Sequence, residues 1–477
     1  MEDNLQLCIA KMRDNNFSDT AILQFERMYK VWQADDAGWM REEDVTPLKP
    51  EDVPAVSDIY DSMSSHVAHT ALAKTAILKL NGGLGTSMGL DGPKSLLPVR
   101  RHKARRMRFI DIILGQVIST RAHHKIQLPL ILMNSFRTSK DSLNAVHHNR
   151  RFHQAEIPVE IVQHQQPKII AHSGKPVTFN VNPELEWCPP GHGDVYSTLW
   201  ESGILDVLQS HGIEYIFISN SDNLGARPSS IIAGHFAKSK ADFMVEVSKK
   251  TVADRKGGHF VINNETGRLT LREMSQVHPD DKAEALDDTI HPYFNTNNIW
   301  IRISALKKLL KKYDGVLPLP VIRNNKTVDP TDSSSAHIVQ LETAMGAAIS
   351  LFENSTCIEV NRSRFLPVKT TEDLFILRSD RFHLTDAFEM EDGNYVFPDV
   401  SLDQRYYKNI QDFDERFPYG VPSLAAAASV TIEGDWTFGQ NTHCFGKAYL
   451  EDLGQPSYVP NGEYIGHQGI EPNEWLH

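Results

Sequence analysis

Residues 78–95 read LKLNGGLGTSMGLDGPKS, and both the fold and the chemistry can be argued outward from this stretch. A predicted β-strand runs into a loop that holds five glycines and is followed by Lys94. Glycines lack a Cβ, so backbone N–H groups can converge on phosphate oxygens. Pro93 interrupts the order of a Walker A loop, and the glycine spacing differs from that of a dinucleotide-binding loop. The stretch indicates a triphosphate cradle, with a plain turn-rich connection as the alternative.

Short apolar runs separated by helical stretches surround this loop. They occupy residues 76–80, 129–133, 159–162, 215–218 and 243–247. Strands that alternate with helices are typical of an α/β domain around a mainly parallel sheet. In such sheets, ligands bind at the carboxyl ends of the strands. We therefore expect the site among four polar or glycine-rich strand ends: Asn81-Gly82-Gly83, Asn134-Ser135, Gln163-His164 and residues 219–223.

The regions on either side have different patterns. Apolar residues at three- and four-residue steps predict an amphipathic helix from Asp19 to Trp32, and prolines between residues 43 and 55 separate it from the α/β pattern. Beyond residue 385, short apolar pairs between glycines predict a small β-domain with β-helix-like coils. We therefore divide the chain into a helical segment (1–70), a central α/β domain (71–384) and a C-terminal β-domain (385–477).

The composition is that of a globular protein with about three structural units in 477 residues. The formal net charge of -12 disfavours a nucleic-acid partner, and we interpret the basic run at residues 100–108 as a solvated loop. Four distant cysteines without a CxxC pair predict reduced structural thiols. No stretch has the ~18 apolar residues of a membrane span, and no signal-peptide core is visible. We expect a cytoplasmic protein, with organelle import by an unseen signal left open.

Further blocks accompany the glycine-rich loop in a fixed order. They are WCPPGHGD (187–194), SNSDNLGA (219–226), KGG (256–258), FNTNNIW (294–300), QLETAMGAA (340–348) and RFLPVK (364–369). From residue 78 to residue 369 the chain thus resembles the UDP-glucose pyrophosphorylase family. LPLPVIRN at 317–324 and the short N-terminal region are similar to its kinetoplastid-type members. REMSQ at 272–276 departs from the common family form but retains Glu273, and the C-terminal region matches only loosely.

The resemblance implies a fold and a reaction. The fold is a central Rossmann-like nucleotidyltransferase domain with a mixed, mainly parallel sheet, a helical N-terminal segment and a small C-terminal β-domain. The reaction is reversible and Mg²⁺-dependent, joins UTP and glucose 1-phosphate, and gives UDP-glucose and pyrophosphate by in-line attack on the α-phosphate. The kinetoplastid-like pattern implies a monomer rather than an octamer, with neither nucleic acid nor membrane as a partner.

The resemblance also implies roles for individual residues. Lys94 would neutralise the phosphates that leave, Lys369 the α-phosphate and the sugar phosphate, and Asp222 would bind Mg²⁺. The residues implied in UTP binding are Leu80, Asn81, Gly82, Gly83, Met133, Gln163, Gly191 and His192. The residues implied in sugar binding are Asn220, Gly257, Gly258, Glu273 and Asn297.

Plainer interpretations exist for these residues. Asp222 could cap the following turn, both lysines and Gln163 could be surface residues, and His192 could be a solvated turn residue. Six other histidines lie near no cysteine or carboxylate that would complete a metal site, so we interpret them as structural or surface residues. They are His66, His69, His123, His124, His147 and His148.

Two other functions stay open at this stage. One is a transferase for N-acetylhexosamine or other sugar 1-phosphates, which the LNGGLG form of the glycine loop disfavours. The other is a catalytically silent nucleotide-sugar binding protein. Loss of Lys94, Asp222 or Lys369 would indicate such a protein, and all three are present.

Overall fold

The computed structural model describes residues 2–34, 38–102, 105–250, 257–330, 332, 334–392 and 397–466. Lys256 of the KGG block, Lys103 of the basic run and residues 467–477 lie outside these ranges.

In the described part, the α-helices are α1 Glu2–Asp14, α2 Asp19–Gln33, α3 Val56–Tyr60, α4 Ser65–Ala73, α5 Phe109–His124, α6 Ser139–His148, α7 Val195–Glu201, α8 Ile204–Ser210, α9 Ser230–Ser239, α10 Lys282–Leu286, α11 Ile303–Lys312, α12 Thr371–Arg378, α13 Gln404–Tyr407 and α14 Ile410–Arg416. The β-strands are β1 Val45–Pro47, β2 Thr75–Asn81, β3 Pro98–His102, β4 Arg105–Arg108, β5 Leu130–Asn134, β6 Glu160–Val162, β7 Gln166–Pro167, β8 Ile169–Ile170, β9 Trp187–Cys188, β10 Tyr215–Asn220, β11 Phe243–Lys249, β12 His259–Asn263, β13 Leu269–Arg272, β14 Tyr293–Arg302, β15 Val321–Thr327, β16 His337–Thr343, β17 Ser355–Glu359, β18 Phe382–Leu384, β19 Met390–Asp392, β20 Asp399–Leu402, β21 Ser423–Ile432, β22 Trp436–Phe438, β23 His443–Leu450, β24 Ser457–Val459 and β25 Tyr464–Gly466.

A seven-stranded sheet forms the centre of the molecule. Its strand order is β17-β11-β14-β10-β2-β5-β6, and its neighbours are parallel except where β14 pairs with β11 and β10. The five predicted strands are β2, β5, β6, β10 and β11, so the prediction of a mixed, mainly parallel sheet is confirmed. The sequence pattern does not predict β14, because four polar residues, 295–298, interrupt it and the strand is irregular there.

Helices cover both faces of this sheet. In β2, Ile77 packs on one face with side chains of α5 and α9, whereas Ala76 and Leu78 pack on the other with side chains of α7, α8 and α11. Burial on both faces explains why these strands read as continuous apolar runs. Each fully buried large apolar side chain contributes roughly 1.5–3 kcal/mol, so the sheet is a rigid support for the loops at its carboxyl edge.

The N-terminal segment packs onto the central domain. The predicted helix is α2, and the Ser18 side chain caps it by accepting the N–H of Ala21 at 3.2 Å. Together α1 and α2 bury Phe25 and Tyr29 in a cluster that includes Leu341 of β16. The proline-rich stretch then adds β1 antiparallel to β12. The segment is therefore integrated by side chains and by strand pairing.

The C-terminal region consists of stacked parallel strands. β20, β21, β23 and β25 form one parallel sheet, and β22 and β24 form a second parallel pair. Because each strand pairs with one that follows after a further turn of chain, the arrangement is that of β-helix coils. The predicted small β-domain is thus confirmed. Among the described helices, none has the length and apolar character needed to cross a bilayer.

The basic run at residues 100–108 is not the solvated loop that composition suggested. Its described part forms the hairpin β3–β4. Arg100 points inward and donates to three backbone carbonyl groups between residues 377 and 382. Arg108 makes a bidentate ion pair with Asp111 at 2.8 and 2.9 Å. Composition alone could not separate these structural arginines from the exposed ones.

The cysteines and histidines agree with their predicted structural roles. All four cysteines are free and buried, and burial raises the pKa of Cys8 and Cys188 to about 12. Nε2 of His69 lies 2.8 Å from the backbone oxygen of His124, which is a local contact between helices. In the part of the chain that the structure describes, no three His, Cys, Asp or Glu residues are grouped so as to hold a metal.

Candidate active site

Four strand ends lie along the carboxyl edge of the sheet. Leu80 of β2 is in register with Asn220 of β10 and with Met133 of β5, and the parallel ladder continues to β6, just before Gln163. The backbone N–H of Ser221 donates to the carbonyl of Leu80 at 3.0 Å. The predicted loops therefore share one edge, as parallel strands require.

Gln163 lies directly against Gly82. A Cβ at position 82 would overlap with the amide oxygen of Gln163 and lie 2.9 Å from its Cδ, so only glycine permits this approach. At Gly83, in contrast, no atom lies within 4 Å of a Cβ position. The Gln163 backbone N–H donates to the carbonyl of Asn134 at 2.8 Å. The fixed amide offers both a donor and an acceptor, which is what the edge of a base requires.

Asn81 and Met133 lie at the carboxyl edge of the sheet with their side chains turned into the protein interior. Nδ2 of Asn81 donates to Oδ1 of Asn134 at 2.6 Å and to Oγ of Ser142 at 2.8 Å. The side chains of Asn81 and Met133 are both buried. The backbone is therefore the part of Asn81 that a nucleotide could contact.

Gly191 and His192 pack against the segment that follows β16. Gly191 has φ +82°, and a Cβ there would lie 2.6 Å from the carbonyl oxygen of Thr343. Nδ1 of His192 accepts the backbone N–H of Met345 at 3.0 Å, and burial lowers the pKa of His192 to about 4. The ring is neutral near pH 7. The tautomer assigned from this hydrogen bond leaves Nε2–H as a donor.

His164 is held between two carboxylates beside Gln163. Its Nδ1 lies 2.7 Å from Oδ1 of the buried Asp194, and its Nε2 lies 2.9 Å from Oε2 of Glu201. Burial opposes charge on the ring, but the two carboxylates outweigh it and raise the pKa of His164 to about 10. The His164 backbone N–H also donates to Oδ2 of Asp194 at 2.7 Å. This charged clamp fixes the chain where β6 ends, and so fixes Gln163.

Lys94 and Asp222 form an ion pair next to the glycine-rich loop. Nζ of Lys94 lies 2.7 Å from Oδ2 of Asp222, with both side chains mostly buried. The Lys94 backbone N–H donates to the carbonyl of Gly83 at 3.2 Å, which folds the end of the loop back onto its start. Two residues that are 128 positions apart in sequence thus meet where the loop begins.

The surroundings of Asp222 fit a magnesium ion. Its Oδ1 is buried and has no hydrogen-bond partner among the described residues. A buried carboxylate oxygen without a partner is costly, and Mg²⁺ commonly takes one or two carboxylates plus phosphate oxygens and waters. The structure places no other His, Cys, Asp or Glu pair around it within the described ranges, so an ion here would rely on phosphate oxygens for further ligands.

Lys369 stands on a segment that is tied to the turn after β10. Asn223 and Pro367 form an isolated antiparallel bridge, and the N–H of Leu366 donates to Oδ1 of Asn223 at 2.8 Å. The Lys369 backbone N–H donates to Oδ2 of Asp373 at 2.7 Å, in the capping box that begins α12. The Lys369 side chain is exposed. Its segment is anchored while its ammonium group reaches outward.

Three of the residues implied in sugar binding lie at neighbouring strands: Gly258 immediately before β12, Glu273 immediately after β13 and Asn297 within β14. A Cβ on Gly258 would lie 2.5 Å from Oε2 of Glu273. The Gly258 carbonyl accepts the N–H of Asn295 at 2.8 Å, and the N–H of Asn297, which has φ +58°, donates to Oδ1 of Asn295 at 2.9 Å. Burial raises the pKa of Glu273, and the positive charge of Lys369 offsets part of this rise. 

The two remaining residues of this set are less closely held. Asn220 is half-buried at the end of β10, and its carbonyl accepts the N–H of Asn223 at 3.3 Å. Gly257 is half-buried immediately before β12. Both therefore lie next to residues already placed in the site.

Comparison with known proteins identifies the family. Residues 22–444 match the family model described as UTP--glucose-1-phosphate uridylyltransferase. The chain belongs to this family. A relative of that name from Hordeum vulgare is 33% identical over 491 residues, with 99% of this chain and 97% of the relative covered. Another from Solanum tuberosum is 36% identical over 410 residues, with 84% of this chain and 82% of the relative covered.

Solved structures of family members have the same fold. UDP-glucose phosphorylase from Trypanosoma brucei superposes with a TM-score of 0.89 at 36% identity, with 97% of this chain and 98% of that chain covered. A UDP-glucose pyrophosphorylase variant from Leishmania major, in complex with UDP-glucose, gives a TM-score of 0.87 at 36% identity and the same coverage. The family resemblance, its kinetoplastid-like character and the α/β fold are thus confirmed.

A buried charged layer under the family site was missed from sequence. Oε1 and Oε2 of Glu246 accept from Arg364, each at 2.8 Å, and Glu246 also accepts from Trp300 Nε1 and Asn298 Nδ2, each at 3.0 Å. Beside it, burial lowers the pKa of Lys79 to about 7. An acidic residue inside the apolar run FMVEV was the available signal, since such a residue is almost never buried unpaired.

Three further residues near the site were named from the sequence, but their supporting roles were not predicted. They are His164, Asp194 and Asn223, and the last two lie inside quoted sequence blocks. In each case, the signal available in the sequence was a polar residue adjacent to a residue that was predicted to contact the ligand. The sequence did not show that their partners come from other blocks.

Proposed function

We propose that this protein transfers a uridylyl group from UTP to glucose 1-phosphate, reversibly and with Mg²⁺, to give UDP-glucose and pyrophosphate. Membership of the family supports the reaction. The observation that carries the proposal is the ion pair of Lys94 with Asp222 beside the glycine-rich loop, with Oδ1 of Asp222 left without a partner. A cation next to a carboxylate with spare ligand capacity suits a triphosphate that binds together with a magnesium ion.

The uracil base would lie at the Gly82 and Gln163 end of the site. The Gln163 side-chain amide lies against Gly82, and the backbone that carries it is held by its hydrogen bond to Asn134 and by the His164 clamp that follows. A base that presents the wrong donor and acceptor pattern leaves this buried amide unpaired, at about 1–3 kcal/mol for each lost contact. We therefore assign base selection to Gln163.

The phosphates would lie along the loop toward Lys94 and Asp222. In-line attack on the α-phosphorus needs positioning and charge neutralisation more than proton transfer. Mg²⁺ held by Asp222 would supply part of that neutralisation when bound. Lys94 would exchange its contact with Asp222 for the phosphate oxygens that leave as pyrophosphate. Because its backbone N–H is bonded to Gly83, this exchange moves the side chain and not the loop.

The sugar phosphate would lie between Glu273 and Lys369. Glu273 is half-buried against Gly258, and burial raises its pKa, so its partly dehydrated carboxyl group would favour hydrogen bonds to sugar hydroxyl groups. Lys369 reaches outward from an anchored segment and can place one positive charge at the α-phosphate. Preorganised charge of this kind stabilises the transition state more than the substrates.

The test is pyrophosphate release from UTP with a panel of sugar 1-phosphates. We expect rapid release with glucose 1-phosphate, at least tenfold slower release with N-acetylglucosamine 1-phosphate, and loss of release with a chelator that excess Mg²⁺ reverses. Preference for the N-acetylated sugar would support a sibling transferase. No release with any sugar, but tight UDP-glucose binding, would support a silent binding protein.

From the kinetoplastid-like pattern we also propose that the chain acts as a monomer in the cytoplasm. Light scattering should then give a mass near 53.8 kDa at micromolar concentration. A mass eight times larger would contradict the monomer, and enzyme activity that sediments with organelles would contradict the location.

A further inference from the structure

The hairpin β3–β4 places like charges opposite one another. Arg101 is the register partner of Arg106, and His102 is that of Arg105. Directly opposed side chains have Cβ atoms about 4.5–5.5 Å apart, and like charges at such positions are destabilising. The whole chain has a formal net charge of -12, so this local excess of positive charge opposes the overall trend. An anion bound between the guanidinium groups of Arg101 and Arg106 would remove the repulsion.

These arginines differ from the arginines packed around them. Arg100 and Arg108 are both used within the fold, and Arg378 pairs with Asp414 and donates to a backbone carbonyl. In contrast, the side chains of Arg101 and Arg106 are exposed and make no hydrogen bond or ion pair with the described residues. Their charges are available to a ligand.

A cavity of about 410 Å³ lies against this hairpin. Arg101 and Arg106 line one side of it, and Phe417 and Tyr419 line another. The Tyr419 side chain is 61% exposed, so its ring is accessible to a ligand. The volume falls within the range of small-molecule sites, and a concave wall suits a small ligand better than the flat surface of a membrane. The only lining carboxylate among the described residues is Asp414, whose charge Arg378 compensates.

We propose that this cavity is a second binding site, for a nucleoside monophosphate, with its phosphate between Arg101 and Arg106 and its base on Tyr419. A phosphate monoester carries about -1.5 to -2 charge at pH 7, which two guanidinium groups match. Stacking of a base on an aromatic side chain adds to the affinity for a nucleotide and tolerates any base. None of the lining residues belongs to the candidate active site, so the proposal does not rest on the proposed function.

The position of the cavity connects it to the active site. β3 begins shortly after Lys94, and Arg378 ends the helix that begins after Lys369. Nη2 of Arg378 donates to the carbonyl of Pro98 at 2.7 Å, which joins the two segments at the cavity wall. A ligand here would contact both segments.

Isothermal titration calorimetry with AMP tests the proposal. The full chain is titrated with UDP-glucose present at saturation, which keeps AMP from the candidate active site. We expect one AMP per chain, and affinity at least tenfold weaker in the double variant Arg101→Ala/Arg106→Ala. Inorganic phosphate and adenosine, which each supply half of the ligand, should bind at least tenfold more weakly than AMP. Phosphate binding as tight as AMP would show an anion site only and would overturn the nucleotide assignment.

Matched variants separate a built site from general attraction. Arg105→Ala removes one positive charge from the same hairpin. Because Arg105 lines a different cavity, the affinity of this variant for AMP should stay within twofold of wild type. Tyr419→Ala should weaken AMP binding and leave the affinity for inorganic phosphate unchanged. The double variant should melt at the same or a higher temperature than wild type, because it removes repulsion. Unchanged AMP affinity in the double variant, an equal loss in Arg105→Ala, or no binding at millimolar AMP would each overturn the proposal.

Discussion

The side-chain oxygen of Asn223 accepts the backbone N–H of Leu366 at 2.8 Å, so the residue next to Asp222 holds the segment that leads to Lys369. Nδ2 of Asn223 also donates to the carbonyl of Arg364 at 3.1 Å. The side chain is buried, so water cannot replace it. The Asn223 side chain, together with the backbone bridge from Asn223 to Pro367, therefore ties the candidate metal ligand to the segment of the candidate catalytic lysine.

Asn223→Ala should damage turnover more than substrate binding. It removes the acceptor of two backbone N–H groups, those of Leu366 and Gly225, and one of the two donors to the carbonyl of Arg364. A displacement of about 1 Å near the chemistry can cost about 10²-fold in rate. We expect kcat to fall roughly 10- to 100-fold while KM for UTP changes by less than about threefold. Asn361→Ala is the control, because Asn361 caps a turn on the same segment without touching Asn223. Equal losses in both variants would contradict a specific role.

Gly82→Ala should weaken UTP binding, whereas Gly83→Ala should not. A methyl group at position 82 would displace the Gln163 amide, but at position 83 it meets open space. We expect KM for UTP to rise about tenfold or more in the first variant and selectivity over CTP to fall, since the displaced amide no longer pairs with uracil. Steady-state kinetics with both nucleotides measure this. If the two variants behave alike, Gln163 does not read the base.

Asp222→Asn should lower the rate and the apparent affinity for Mg²⁺. The substitution keeps the shape and removes the charge that favours a hard cation. It also removes the ion pair with Lys94, so a melting temperature close to wild type must be verified first. Rates measured across a magnesium titration should show partial rescue at high concentration. Full activity at limiting magnesium would place the metal ligand elsewhere.

Lys94→Ala and Lys369→Ala should have different kinetic signatures. Lys94 is assigned to the pyrophosphate half of UTP, so its loss should weaken the binding of both UTP and pyrophosphate. It should also lower the rate. Lys369→Ala should lower kcat by about 10²–10³-fold with little change in KM for UTP, because charge at the α-phosphate develops in the transition state. Lys369→Arg should restore little, since a planar fork replaces a compact charge. Kinetics in both directions measure these effects, and a change confined to KM in Lys369→Ala would make it a binding group.

His164 should make stability depend on pH. Its pKa of about 10 in the folded protein lies above the ordinary value of 6.5, so its stabilising contribution is full below about pH 6.5 and is lost as pH rises toward 10. The melting temperature of wild type should therefore fall more steeply over this range than that of His164→Gln. His69→Gln, which lacks carboxylate partners, is the control. Parallel pH profiles of wild type and His164→Gln would contradict the clamp.

The central fold was predictable because its signals are local. Runs such as residues 76–80 are apolar throughout, since helices cover both faces of the sheet, and a glycine-rich loop follows directly. β14 was not predictable in this way, because Asn295 and Asn297 face the candidate site and interrupt the apolar pattern of a central strand. The polar residues of this strand, one of which we propose to bind the sugar, thus hide the sequence signal of a buried strand.

The structure brings the predicted strand ends to one edge of the sheet, but the contacts of the individual side chains there could not be predicted from sequence. Sequence blocks placed Asn81 and Gln163 together, but only the structure shows that the Asn81 side chain is used internally and that Gln163 needs Gly82. The role of Arg100 was misread for the same reason. Partners that are hundreds of residues apart leave no mark on local composition.

The docking of α1 and α2 onto β8 and β16 determines the order in which the molecule can be completed during synthesis. The cluster that receives Phe25 and Tyr29 includes Leu341, so its last member leaves the ribosome long after the helices themselves. At 5–20 residues per second, the ~300 residues in between take about 15–60 s. During that time the surface that covers the apolar face of the helical pair is incomplete. The segment is therefore secured only long after its own synthesis, and we expect nascent chains to need a chaperone for it.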